Sequence, residues 1–265
     1  MAGAAIHQEK HRERRSQSRS PRDVCFLPCY YNTSENHRSA QRVEHRIDRV
    51  TGSRLGIWEV ALEWYEDEVR QIEQLHEQAP PQPGAVVFYG SSSLRLWTTL
   101  SDDMAPWPVV NRAFGGSTLA ACVHFFDRLV PPCAPRAIVL YAGDNDLGDG
   151  RTPDDVVRSL RAMLARIDAS LGPIPVAYMS IKPSLARWNL RERIKRVNAE
   201  ARLLMEQRPA GYYVDVYTPM LGADGRPRAE LFDADGLHLS SAGYRLWRAV
   251  LRPYVAILAG AENDR

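Results

Sequence analysis

Five short apolar runs limit what this 265-residue chain can become. They cover residues 85–89, 108–112, 137–141, 174–181 and 212–216, and helical patterns separate them. The run Ala137-Ile138-Val139-Leu140-Tyr141 is apolar without a break, the mark of a strand buried on both faces. Strands that alternate with helices call for a parallel sheet with helices on both sides. The expected fold class is therefore α/β, with a five-stranded parallel sheet, one core and no internal repeat. In such sheets ligands bind beyond the carboxyl ends of the strands. The residues that follow each run are the ones to read for function.

Order is expected to begin near Ile57, where Trp58, Ala61, Leu62, Tyr65, Val69, Ile72 and Leu75 recur at helical spacing. Pro80-Pro81-Gln82-Pro83-Gly84 ends that helix. Further helices are expected over 119–129, from Pro153 onward, over 185–207, and around Trp247. Residues 1–55 read differently. They are rich in Arg, Ser, His and Asn and follow neither a strand nor a helix period. The expected organisation is a disordered basic extension over 1–55, one folded domain over 56–259 and a short tail over 260–265. The formal net charge is only +2, and the basic residues of the extension are diluted by acids, so no nucleic-acid partner is expected. No apolar run approaches the ~18 residues of a membrane span, and residues 1–22 lack the apolar centre of a secretory signal. Cytoplasmic localisation without integral membrane association follows as an expectation. Cys25, Cys29, Cys122 and Cys133 show no paired zinc spacing and read as reduced thiols.

After the first run stand Gly90 and Ser91-Ser92-Ser93, and a helical pattern starts at Leu94. Strand, tight turn and helix is an arrangement that lifts a hydroxyl out of a sheet. Taken alone, it suits a nucleophilic serine, a phosphate-binding turn or a serine cap. A nucleophilic serine needs a base, usually His. Beyond residue 50 the histidines are His76, His124 and His238. His76 falls in the first helix, and His124 in a later helix beside Phe125 and Phe126. His238 lies in a loop three residues after Asp235, just before a helix that Ser240 or Ser241 would cap. A carboxylate at that spacing can bond Nδ1–H and leave Nε2 facing a serine, although the pair could also be two caps. Acyl transfer further needs oxyanion donors. The candidates are the N–H of Ser92, the N–H of Gly116 after the second run, and the side-chain amide of Asn145 after the third. A flexible turn at Gly115-Gly116 and an Asx-turn at Asn145 are the structural alternatives. Lys182, Arg187 and Trp188 follow the fourth run and are candidates for lining a substrate pocket.

In order, Gly90-Ser91-Ser92, Gly116, Gly143-Asp144-Asn145-Asp146 and Asp235-Gly236-Leu237-His238 resemble the four blocks of the SGNH hydrolase (GDSL esterase/lipase) superfamily. The resemblance spans about residues 57–258. It implies Ser92 as nucleophile, His238 as base and Asp235 as the carboxylate that orients it. It implies Ser92, Gly116 and Asn145 as oxyanion donors, and a flavodoxin-like three-layer α/β/α sandwich. It also implies a small-molecule, lipid or carbohydrate ester substrate, and no metal or organic cofactor. The family's first block reads Gly-Asp-Ser, and here Ser91 stands in the Asp position, which leaves three adjacent serines. The G-x-S-x-G elbow of α/β-hydrolases is absent. A flavodoxin-like module holding FMN or phosphate at Gly90–Ser93 is a rival reading, but it gives Asn145 and the Asp235/His238 pair no task. A metal-dependent phosphoryl-transfer enzyme built on Asp144, Asp146 and Asp149 would lack a P-loop lysine and EF-hand spacing. The sequence sets no oligomeric state.

Overall fold

Each of the five apolar runs becomes a strand, and all five pair in parallel in the computed structural model, which describes residues 57–261. The expected extension over 1–55 and residues 262–265 of the tail lie outside the described residues. The strands are β1 (Val86–Gly90), β2 (Val109–Asn111), β3 (Ala137–Tyr141), β4 (Val176–Met179) and β5 (Gly211–Val214), arranged β2-β1-β3-β4-β5. This is the flavodoxin-like order, in which the chain changes direction across the sheet between β1 and β3. The helices are α1 (Ile57–Gln78), α2 (Ser92–Arg95), α3 (Leu100–Met104), α4 (Leu119–Leu129), α5 (Asp144–Gly148), α6 (Pro153–Leu171), α7 (Arg191–Gln207) and α8 (Ser241–Leu258).

The two-residue period of the strands divides the core. Val87, Tyr89, Ile138, Leu140 and Tyr178 pack with Val69 of α1, Phe125 of α4, Leu160 of α6 and Ile194 of α7. Val86, Phe88, Val139, Tyr141 and Met179 pack with Leu94 of α2, Met104 of α3 and Trp247 of α8. Trp247 is wholly buried, and its ring lies 5.0 Å from that of Tyr141 and 6.2 Å from that of Trp97. Large aromatic rings packed edge to face carry much of the energy of such a core. The result is a three-layer α/β/α sandwich.

At the switch point Gly90 pairs with Tyr141, so β1 and β3 end side by side. Ser91 N–H donates to the Tyr141 carbonyl at 2.9 Å. Gly90 has φ +141°, and a Cβ there would land on that same carbonyl. Only glycine lets the two strand ends lie this close, which brings the serine turn beside the segment holding Asn145.

Three differences from the sequence expectation bear on the layout of the site. β4 spans Val176–Met179 rather than 174–181. Beyond it, Ser180 Oγ accepts from Val216 N–H (2.9 Å) and Tyr217 N–H (3.0 Å), and the Asn198 amide clasps both backbone groups of Ile181. Side chains thus take over the backbone pairing that would have extended the strand. The helix expected from 185 begins at Arg191, after a single 3₁₀ turn at Trp188–Leu190. Pro183 and the bond from Ala186 N–H to the Gly236 carbonyl (3.0 Å) hold the preceding residues as a loop. The third difference is α5, a five-residue helix too short to show a period. Among the described residues no helix is long and apolar enough to cross a membrane.

Candidate active site

Ser92 is the first residue of α2 and is half-buried, while its neighbours Ser91 and Ser93 are each 2% exposed. Its Oγ lies 3.1 Å from His238 Nε2. His238 Nδ1 lies 2.6 Å from Asp235 Oδ2. The other carboxylate oxygen, Oδ1, accepts from Leu237 N–H at 2.8 Å and His238 N–H at 2.9 Å. Burial pushes the Asp235 carboxyl up, but these two N–H groups and the imidazole outweigh it and hold it below its usual value. A carboxylate only accepts, so the proton between the pair sits on Nδ1, and the neutral imidazole then presents its Nε2 lone pair to Ser92. The loop that carries the pair is anchored at its base by the Phe232–Leu239 bridge and by Asp233 N–H on the His238 carbonyl (2.9 Å). Ser240 caps α8 immediately beyond it, accepting from Gly243 N–H.

Gly116 is exposed, at φ +65°, with open space where a Cβ would stand. Its conformation, not crowding, is what asks for glycine. Asn145, on α5, donates from Nδ2 to the Ser117 carbonyl at 3.1 Å. Its Oδ1 accepts from both Nη1 and Nη2 of Arg187, each at 3.2 Å. Arginine has no acceptor, so the amide oxygen must face it. The amide NH₂ then faces the Gly116-Ser117 segment with one N–H still to give.

Two of the residues considered for pocket lining are drawn to Asp144. Lys182 is 1% exposed, and its Nζ meets Asp144 Oδ2 at 2.9 Å and the Tyr141 hydroxyl at 3.2 Å. A lysine so enclosed has no surface to offer a substrate. Arg187 pairs with Asp144 Oδ1 at 2.7 Å and with Asn145 Oδ1 at 3.2 Å. Burial opposes the charge on Asp144, but Lys182 and then Arg187 prevail and hold its carboxyl far below the usual range. The buried group of two cations and one carboxylate therefore carries one net positive charge, joined to Asn145 through Arg187. Trp188 is half-buried, with the Arg191 guanidinium 5.6 Å from its ring centre. Among the described residues no group of three or more His, Cys, Asp or Glu is placed to hold a metal ion.

The sequence model of the GDSL-like lipase/acylhydrolase family matches residues 70–246. This chain belongs to that family. The GDSL hydrolase is thus an enzyme that cleaves ester bonds, and the matched segment includes Ser92, Gly116, Asn145, Asp235 and His238. No curated protein matches it. Solved structures share its fold at low identity. A protein from Streptococcus pneumonia named for platelet activating factor has a TM-score of 0.66 and 21% identity, over 75% of this chain and 96% of that one. A GDSL-like lipase from Bacteroides thetaiotaomicron has a TM-score of 0.59 and 20% identity, over 71% and 98%. A carbohydrate esterase family 3 protein from Talaromyces cellulolyticus has a TM-score of 0.55 and 17% identity, over 67% and 99%.

The second acid of the GDSL hydrolase's Gly143-Asp144-Asn145-Asp146 block also has a distinct place. Asp146 is wholly buried, and both its carboxylate oxygens accept from Leu119 N–H (3.0 and 3.2 Å), tying α5 to the first turn of α4 just beyond Gly116. Burial pushes its carboxyl up to about 6, against the pull of the Leu119 N–H and Arg151. The native pKa lies above the unfolded one, so the stability it contributes is complete below about pH 4 and lost as pH rises through 6. Compared with Asp146→Asn, which stays neutral, the wild type should lose about 2 kcal/mol of unfolding free energy between pH 4 and pH 7. Urea denaturation of both proteins at each pH measures this difference, and a flat difference would rule out the raised pKa. Sequence reading passed over Asp146 in this role. It also passed over Tyr65, read there only as part of an apolar stripe, whose hydroxyl donates to the Gly116 carbonyl, and Glu68, which accepts from Gly115 N–H. A carboxylate beside a helix start is a local cue for the first, but the contacts of Tyr65 and Glu68 have no local cue.

Proposed function

We propose that this GDSL hydrolase cleaves a carboxylic ester through an acyl-enzyme formed on Ser92. The observation that carries the reading is the continuous line of contact from Ser92 Oγ to His238 Nε2 (3.1 Å) and from His238 Nδ1 to Asp235 (2.6 Å). Ser92 Oγ attacks the ester carbonyl carbon as its proton passes to Nε2. The carbonyl oxygen becomes an oxyanion, received by the N–H groups of Ser92 and Gly116 and by the free N–H of Asn145. The bond to the leaving oxygen then breaks, and that oxygen takes the proton from Nε2. A water attacks the acyl group, gives its proton to His238, and releases the acid with Ser92 restored. Asp235 stays ionised throughout and stabilises the imidazolium.

Acyl and acetyl esters are the substrate class. Relatives of this fold named as a lipase and as a carbohydrate esterase frame that range. Exposed Gly116 fits an oxyanion site open to solvent. A fluorophosphonate probe, which mimics the tetrahedral intermediate, should label the protein once per chain. p-Nitrophenyl esters of rising acyl length should be hydrolysed, fastest at the short end. A protein that takes no label and turns over no ester would overturn the reading.

A further inference from the structure

Helix α1 begins before the segment that matches the family, and two of its side chains, Tyr65 and Glu68, reach the catalytic turns from outside that segment. Glu68 Oε2 accepts from Gly115 N–H at 2.7 Å. Glu68 Oε1 pairs with Arg95 Nε at 3.2 Å, and Arg95 ends the same short helix that Ser92 begins. One carboxylate thus spans the nucleophile's helix and the Gly115-Gly116 turn. One helical turn earlier, the Tyr65 hydroxyl donates to the Gly116 carbonyl at 3.2 Å, while its ring packs edge-on against Phe114 at 5.3 Å. The fit is close: a Cβ on Gly115 would stand 3.0 Å from Glu68 Oε2 and 3.2 Å from Arg95 Nε.

These contacts bracket one peptide unit. Glu68 holds the peptide that carries Gly115 N–H, and Tyr65 holds the one that carries the Gly116 carbonyl. Between them lies the peptide that carries Gly116 N–H. Two successive glycines make this the softest part of the turn, since neither has a side chain to restrict its backbone. An oxyanion donor is effective only when it is already aimed at the developing charge.

We propose that Glu68 is a positioning residue, aided by Tyr65, that fixes the Gly116 N–H relative to Ser92 for the oxyanion. This rests on the acyl-enzyme reading above. The Glu68 and Arg95 side chains are 30% and 29% exposed, so their ion pair adds little to folding. The role should appear in the rate rather than in stability.

The experiment uses the full chain with p-nitrophenyl acetate, reading kcat, KM and melting temperature for Glu68→Ala, Glu68→Gln and Tyr65→Phe. Glu68→Ala should lower kcat about 10- to 50-fold, below the roughly hundredfold cost of an ångström's misplacement. KM should stay within about twofold and the melting temperature within about 2 °C. Glu68→Gln keeps an acceptor for Gly115 N–H and should recover most of kcat. Tyr65→Phe should lose a few-fold in kcat with the same pattern, and it tests the idea even if Glu68→Ala folds poorly. A kcat for both Glu68→Ala and Tyr65→Phe within twofold of wild type overturns the proposal. So does a loss of kcat that tracks a fall in melting temperature and is not rescued by Gln. Ser92→Ala in the same assay separates the two levels. If it is inactive while Glu68→Ala is unaffected, only the positioning role fails; if it is active, the acyl-enzyme reading fails and this proposal with it.

Discussion

Ser92→Ala should abolish ester hydrolysis, lowering kcat by roughly 10⁶-fold, the scale on which removal of a triad nucleophile acts. Three adjacent serines make this a test of position as much as of chemistry. Ser92 Oγ is the hydroxyl 3.1 Å from His238 Nε2. Ser91 is 2% exposed, and its N–H is bound to the Tyr141 carbonyl at the end of β3. Ser93 is equally buried, and its carbonyl accepts from the Tyr244 hydroxyl of α8 at 3.0 Å. Ser91→Ala and Ser93→Ala should therefore retain at least several per cent of activity. Fluorophosphonate labelling followed by peptide mass spectrometry should place the adduct on Ser92. Labelling that persists at full rate in Ser92→Ala would refute the assignment.

Asn145→Ala should fold and lose about 10²–10³ in kcat, or roughly 2.7–4 kcal/mol of transition-state stabilisation, as for one oxyanion donor. The loss should be similar for every ester tested, because the donor meets the carbonyl oxygen common to all, and KM should change little. The surroundings of Asn145 argue for its role. Arg187 grips the amide oxygen with two N–H groups, which sets the orientation of the NH₂ and polarises it. Behind Arg187, Asp144 and Lys182 complete a buried group with one net positive charge, close to where negative charge would develop. Activity of Asn145→Ala within threefold of wild type on all esters would sink the oxyanion role.

The parallel sheet was legible because its physical cause is local. A strand covered on both faces must be apolar at every position, and Ala137–Tyr141 shows this directly. Gly90 before the serines and Asp235 three residues before His238 were legible for the same reason. A tight turn, and a carboxylate that bends back on its neighbour, are arrangements of adjacent residues.

Where the reading failed, the deciding partner lies far along the chain. The helix expected from 185 starts at Arg191 because Ala186 is bonded to Gly236, and β4 ends at Met179 because Asn198 takes the backbone groups of Ile181. Lys182 read as a candidate pocket residue from its place after the fourth run, yet it is buried against Asp144, 38 positions away. Glu68 reaches Gly115 across 47 positions, and Ser92 meets His238 across 146. Sequence alone thus determined the strand pattern, the turn at Gly90 and the Asp235/His238 pair, all set by backbone geometry and by side chains a few residues apart. Tertiary structure alone decided which charged and polar groups far apart in the chain face each other. Such pairing depends on which strand ends and helices the fold brings together, and no period or spacing in the chain records it.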